Sequence, residues 1–252
     1  MKILHLDIES KPNLVWTWGL FKQNIGLNQI AKPGGLLCFA STWDDGSKPT
    51  FLSEWDDGLD SMVEKIWSLL EEADAVCGFN SNRFDITMIN REFLLRGMPP
   101  PSSYRKIDLL KVARKNFKFN SNKLDNLVQE LGLGQKASHA GFSMWTDVMS
   151  GCKKAQKQMK IYNMRDTDLL PKLYNRLLAW NDTHPNHALF SDKEGVVCTN
   201  CGGTDIKKNG VEHLATQSYQ RYRCNTCATP LRGRSTILSP EKRRNILTQS
   251  KL

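Results

Sequence analysis

An apolar run, Ile3-Leu4-His5-Leu6, ends directly in Asp7-Ile8-Glu9, and that junction constrains the fold more than any other feature of the chain. The run reads as a buried strand. Side chains alternate along a strand, so Asp7 and Glu9 share one face. Two carboxylates crowded on one face repel each other unless something cationic lies between them. A divalent metal meets that need, and an oxygen-only ligand set favours Mg²⁺ or Mn²⁺ over zinc.

Two further acidic motifs follow. Asn80-Ser81-Asn82-Arg83-Phe84-Asp85 comes after a second strand-like run, Ala75-Val76-Cys77-Gly78-Phe79. It delivers Asp85 near the start of a helical stretch, residues 86–96. Tyr162-Asn163-Met164-Arg165-Asp166 places Tyr162 and Asp166 four apart, on one helix face. Asp168 lies about 200° from Asp166 on that helix, so the two cannot face one site. Four carboxylates, each placed by a regular element, match a phosphodiester hydrolase with two ions roughly 3.5–4 Å apart.

The set D-x-E, N-x3-F-D and Y-x3-D, in that order, resembles the motifs of DEDDy-type 3′–5′ exonucleases. These form part of the DnaQ-like branch of the ribonuclease H-like superfamily and include the proofreading domains of family-B polymerases. The stretch from Gly78 to Asp85 is especially similar to the polymerase form. The region around Trp16-Thr17-Trp18-Gly19-Leu20 resembles small phage-encoded members. Residues 106–110, 123–127 and 131–133 resemble helical segments that such enzymes place between their second and third motifs. The resemblance spans roughly residues 1–180. It implies that Asp7, Glu9 and Asp166 hold the metal that binds the attacking water. Asp7 would also reach a second metal, with Asp85 contributing directly or through water. Tyr162 would orient the water. The sister class carries a histidine five residues before the last aspartate, where this chain has Ile161. His139, in a turn-like stretch, is expected at the surface.

The element order expected is α/β. Three antiparallel strands (residues 2–9, 36–43 and 49–55) precede a helix over 59–73, a strand at 75–79, then helices up to 180. Met62, Val63, Ile66, Leu69 and Leu70 share the inner face of the first helix. This is a ribonuclease H-like mixed sheet flanked by helices. Residues 181–195 are polar and read as a linker.

Cys198-x2-Cys201 and Cys224-x2-Cys227 then make two knuckles, enough for one closed tetrahedral zinc site. Residues 196–235 therefore read as a small four-cysteine zinc ribbon, with a basic tail over 236–252. Its pattern resembles ribbons of transposases and other DNA-acting proteins. The zinc is structural, since four thiolates leave no open position. No export signal is seen at the N-terminus, so disulfides are not expected and the expected compartment is the cytoplasm of a bacterial or phage-infected cell. Cys38 and Cys77 lie in apolar runs and read as core.

The formal net charge is +9, and residues 193–252 hold eleven Lys/Arg against four Asp/Glu. That excess points to a polyanion, nucleic acid first, although charge alone serves solubility equally well. Arg221, Arg223, Arg232 and Arg234, interleaved with Tyr219 and Tyr222, are candidate phosphate contacts. Lys153 and Lys157 fall on one helix face with Lys154 and Lys160; they either guide a phosphate backbone or form a solvated face. Trp16 and Trp18 either stack on a terminal base or cap the core. Asn80 bonds backbone or substrate sugar, and Phe84 reads mainly as core.

The expected function is a metal-dependent 3′–5′ exonuclease, with DNA preferred over RNA and single-stranded 3′ ends as substrate. A non-catalytic nucleic-acid-binding or recruitment protein, or a ribonuclease, is the alternative. A replication or recombination protein is a candidate partner. No membrane association is expected.

Overall fold

The structure, a computed structural model, describes residues 1–135 and 141–250. The chain divides into two compact units, Lys2–Asn175 and, with Met1, Arg176–Leu252.

In the larger unit β1 (Ile3–Lys11) leads through a short ladder of β2 (Leu14–Val15) and β3 (Ile30–Lys32) into β4 (Gly35–Trp43) and β5 (Thr50–Ser53). Helix α1 (Leu59–Glu72), strand β6 (Ala75–Gly78), helix α2 (Asp85–Leu95) and strand β7 (Arg105–Asp108) follow. Helices α3 (Leu109–Asn116), α4 (Leu124–Glu130), α5 (Phe142–Met149) and α6 (Lys153–Leu177) complete the run. The five-stranded sheet has the order β5-β4-β1-β6-β7. β1 is central: it is antiparallel to β4 and parallel to β6.

The strand period sorts β1 cleanly. Leu4, Leu6 and Ile8 pack with Met62, Val63 and Ile66 of α1 and Ile86 and Ile89 of α2 in one apolar cluster. The five α1 residues expected on its inner face are all buried. The alternate residues look the other way: His5 meets the Tyr174 ring of α6 at 5.4 Å, and Asp7 is bonded to Asn163 of α6. Leu37 and Cys38 join Met144, Val148 and Met159 in a second cluster on that side. A bulge in the β1–β4 pairing, where Glu9 faces Cys38 but Ser10 faces Leu36, leaves Leu37 as the extra residue.

Residues 106–110 are not wholly helical. Arg105–Asp108 form β7, which pairs parallel with β6, and α3 begins only at Leu109. Asp108 closes the strand and caps the helix, its Oδ1 accepting from the Leu110 N–H at 3.1 Å. The short β2–β3 ladder has no counterpart in the expected element order either.

In the smaller unit, β8 (Ile206–His213), β9 (Ser218–Cys224) and β10 (Pro230–Thr236) form a three-stranded antiparallel sheet, followed by α7 (Pro240–Arg244). Residues 181–195, read as a linker, contain a short 3-10 turn, His187–Phe190, and buried Asn181 and His184. The Asn200 side chain donates to the carbonyls of Leu178 and Asn181, which ties that stretch down.

Candidate active site and metal centre

β1 pairs with β6 only over Ile3–His5, and β6 ends at Gly78. Beyond that point β1 runs on with its β6 side open, which is where ligands gather in α/β sheets. Gly78 permits the turn that follows: a Cβ there would meet Ser81 Cβ at 2.6 Å. Asn80 adopts the left-handed conformation, with φ of 63°, and its N–H donates to Asp108 Oδ1 at 3.0 Å. This turn swings Asp85 back over β1. Its Oδ1 accepts the Ile8 N–H at 3.0 Å, filling the place left by the missing strand.

From the other face α6 brings the third motif. The Asn163 amide donates to Asp7 Oδ2 at 2.8 Å and lies 3.2 Å from the Asp7 carbonyl oxygen. Asn163 is fully buried and its Oδ1 also accepts a weak bond from the Cys38 thiol. Tyr162 is half-buried, with its ring edge-on to Trp145 at 6.0 Å. Asp166, one turn beyond Tyr162, is buried, whereas Asp168 is exposed and paired with Arg165 and Lys172. Thus β1 touches the second motif through Ile8 and the third through Asp7. Glu9 lies two residues further along, and it and Asp7 push the Cys38 thiol pKa up, although burial is the larger cause.

Asp85 is 4 % exposed, and its pKa is raised to about 7. Burial is the main cause; the Ile8 N–H opposes it and the charge of Asp108 adds to it. Asp108 Oδ2 is itself buried without a hydrogen-bond partner. Carboxylate oxygens are hard donors, the type that hard divalent cations take as ligands. The carboxylate oxygens are nonetheless spread. Among the described residues, the four cysteines form the only group of three or more metal-competent side chains with ligand atoms within 4.8 Å of one another.

The candidate nucleic-acid contacts fall in several places. Trp16 and Trp18 lie between β2 and β3 and are 73 % and 101 % exposed, so they do not cap the core. Phe84, expected in the core, is 43 % exposed. Lys153 and Lys157 are exposed on α6; Lys153 lies 3.7 Å from Asp56. Asn80 makes the turn described above. His139 lies outside the described residues. Sequence reasoning assigned no role to Asn163 or Asp108. Asn163 lies inside the third motif, but nothing in its spacing marks an amide that orients a carboxylate.

The cysteine site is built from two matching turns. Gly202 N–H donates to Cys198 O and Cys198 N–H to Gly203 O; Ala228 N–H donates to Cys224 O and Cys224 N–H to Thr229 O. Each turn needs a left-handed residue four after its first cysteine, supplied by Gly202 (φ 69°) and Ala228 (φ 64°). The result sets Cys198 Sγ 3.6 Å from Cys227 Sγ and Cys201 Sγ 3.6 Å from Cys224 Sγ. Burial works to raise the Cys224 pKa, but the N–H groups of Cys227 and Thr226 outweigh it and hold the thiol at about 7. Such a cluster chelates one metal ion, and four sulfur ligands suit zinc.

Cross-strand partners share a sheet face. Arg223 faces Lys207 on one side, and Arg221 faces Arg232 on the other, so one face of this small sheet collects Lys207, Arg221, Arg223 and Arg232. The Arg232 guanidinium stacks over the Tyr219 ring at 4.7 Å. Arg234 follows on β10, exposed.

A family model of the RNase_H superfamily matches residues 4–178. The chain therefore belongs to the ribonuclease H-like superfamily, whose members generally act on nucleic acids as hydrolases. No curated protein matches it. Among solved structures, the family B DNA polymerase from the hyperthermophilic archaeon Pyrobaculum calidifontis is similar in fold. The TM-score is 0.55 at 15 % identity, over 71 % of this chain and 24 % of the polymerase. The chain thus aligns with about a quarter of that protein's length. No helix among the described residues is long and apolar enough to cross a membrane.

Proposed function

We propose that the chain is a 3′–5′ exonuclease of the tyrosine-bearing DEDD type, with single-stranded DNA ends as its first substrate. The observation that carries this reading is the double anchoring of β1: Ile8 N–H holds Asp85, and Asn163 holds Asp7. Two divalent ions held by Asp7, Glu9, Asp85 and Asp166 would supply the charge that phosphodiester hydrolysis requires. The chain's own residues do the rest. Asn163 fixes the orientation of the Asp7 carboxylate, and the Ile8 N–H fixes that of Asp85. The Tyr162 hydroxyl positions the attacking water, a task suited to a group that both donates and accepts.

The exposed Trp16 and Trp18 offer stacking surfaces for unpaired bases. Arg221, Arg223, Arg232 and Arg234 would grip phosphates, and Lys153 and Lys157 would guide the strand toward the acidic site. In domain terms, an exonuclease unit precedes a four-cysteine zinc ribbon that adds affinity. The similarity to a polymerase fold supports DNA over RNA by analogy only.

One observation favours a second reading, a nucleic-acid binder without turnover: the carboxylate oxygens are not drawn within reach of one ion. An Asp7→Ala variant separates the two. Loss of Mg²⁺- or Mn²⁺-dependent shortening with strand binding retained supports the nuclease. Absence of shortening in the parent protein supports the binder.

A further inference from the structure

β6 and β7 stop level with one another: Gly78, the last residue of β6, pairs with Asp108, the last of β7. Two segments leave the sheet at that point. One is the turn of residues 79–84 that leads to Asp85; the other is α3, which begins directly after Asp108. A single carboxylate oxygen holds both. Asp108 Oδ1 accepts the Leu110 N–H at 3.1 Å and the Asn80 N–H at 3.0 Å. Its other oxygen is buried with no hydrogen-bond partner, so Oδ1 makes all the hydrogen bonds of that side chain.

The Leu110 bond alone would cap the helix, and a cap needs no more. The Asn80 bond reaches back 28 residues into the second acidic motif. Asn80 is left-handed, with φ of 63°, a conformation that costs energy for residues other than glycine. A bond to a carboxylate is stronger than one to a neutral acceptor and offsets that cost. The turn is then built on Asn80. Its carbonyl accepts the N–H groups of Arg83 at 3.2 Å and Phe84 at 3.3 Å, and the Ser81 carbonyl accepts that of Ile86 at 2.9 Å. Asp85 follows Phe84 and takes the Ile8 N–H of β1 through its Oδ1. An unbroken run of bonds therefore leads from Asp108 through Asn80 and the turn to Asp85 and β1. Both carboxylates in the run are buried, Asp108 at 5 % exposed and Asp85 at 4 %. Water does not readily replace a bond lost there.

We propose that Asp108 is the positioning residue of the acidic site. It touches neither the strand nor the attacking water. It fixes the left-handed Asn80 and, through that turn, the place of Asp85 over β1. The inference deepens the nuclease reading and rests on it for its effect on cleavage. Its structural half, that Asp85 sits where Asp108 puts it, is separate from turnover.

The test compares the full chain with Asp108→Ala and Asp108→Asn by residue-resolved amide exchange, no divalent cation added. The Ile8 amide reports whether Asp85 is in place, and the amides of the β4–β5 ladder report on the sheet itself. In Asp108→Ala the Ile8 and Asn80 amides should exchange at least about tenfold faster while the β4–β5 amides keep their rates. Cleavage of a 5′-labelled single strand in Mg²⁺, measured alongside, should fall in kcat by about ten- to a hundredfold with KM within about twofold. Asp108→Asn keeps an oxygen that accepts both N–H groups and should bring both readouts back to within about threefold of the parent. Unchanged Ile8 protection in Asp108→Ala, protection lost evenly across the sheet, or no recovery in Asp108→Asn overturns the inference. A parent protein that does not cleave sinks the nuclease reading alone, and the exchange rates still decide whether Asp108 positions Asp85.

Discussion

With no cation beside it, Asp85 gains by keeping its proton. Its pKa of about 7 lies above the unfolded value of about 4. The folded state then binds more protons than the unfolded state between those values, so this group's contribution falls as pH rises from about 4 to about 7. Below pH 4 it is fully present. The expected size is a few kcal/mol at most, seen as a falling melting temperature across that window in chelated protein. Asp85→Asn should flatten the trend and raise the melting temperature at pH 8, while abolishing cleavage. Added Mn²⁺ should raise the wild-type melting temperature at pH 8 by more than that of Asp85→Asn, which keeps the carboxylates proposed for the other ion. An unchanged trend in Asp85→Asn would remove Asp85 as its source. Asn163 acts through Asp7, to which it donates at 2.8 Å. Asn163→Ala should lower kcat by roughly ten- to a hundredfold, the usual cost of losing a group that orients a ligand. A purely structural role would instead lower the melting temperature and leave the kcat of the folded fraction intact. Ala228 holds a left-handed backbone that glycine adopts without strain. Ala228→Gly should therefore stabilise the ribbon by about 0.5–1 kcal/mol, measured as a higher thermal midpoint for that unit.

Elements differed in how plainly the chain announced them. α1 was legible because five apolar residues recur at helical spacing, and all five are buried. β1 was legible because an apolar run leads straight into the acidic pair. β7 was not: four residues of strand pass directly into α3, so no window shows a strand period before the helical one begins. Its partner β6 supplies the pairing that defines it, and that is a non-local fact. The same holds for residues 181–195, where polar composition suggested a linker. Asn200 holds the start of that stretch through the Asn181 carbonyl, 19 residues away. In the small sheet the four cysteines do the work a core would do in a larger unit. Cys224→Ser, or a strong chelator, should unfold this unit and leave the melting of Lys2–Asn175 unchanged, as read by amide exchange. Loss of protection in both units would mean that the metal supports more than the ribbon. The basic face makes its own prediction. Arg221→Ala with Arg232→Ala should weaken strand binding at all sequences alike and reduce the salt slope by about two. An unchanged slope would remove that face from the interface.

Across the whole molecule, the acidic residues come from positions 7, 9, 85 and 166, and the fold brings their motifs to β1. The motif order was visible in the sequence because Asp7 and Glu9 follow an apolar strand run, Asp85 opens a helix and Asp166 lies one turn beyond Tyr162. The supports were not, since Asn163, Asp108 and the open side of β1 are products of the sheet order. A cavity lined by Lys11, Leu37 and Gln156 was equally hidden, because these residues are far apart in the sequence. The central claim is the proposed one, that the carboxylates of the three motifs cut phosphodiester bonds from a 3′ end. A time course on 5′-labelled single-stranded DNA, with Mg²⁺, Mn²⁺ or EDTA and with Asp7→Ala alongside, addresses it most directly. The account predicts a ladder shortening from the 3′ end that requires the metal and disappears in the variant. Intact substrate under every condition, or shortening that survives Asp7→Ala, would contradict it.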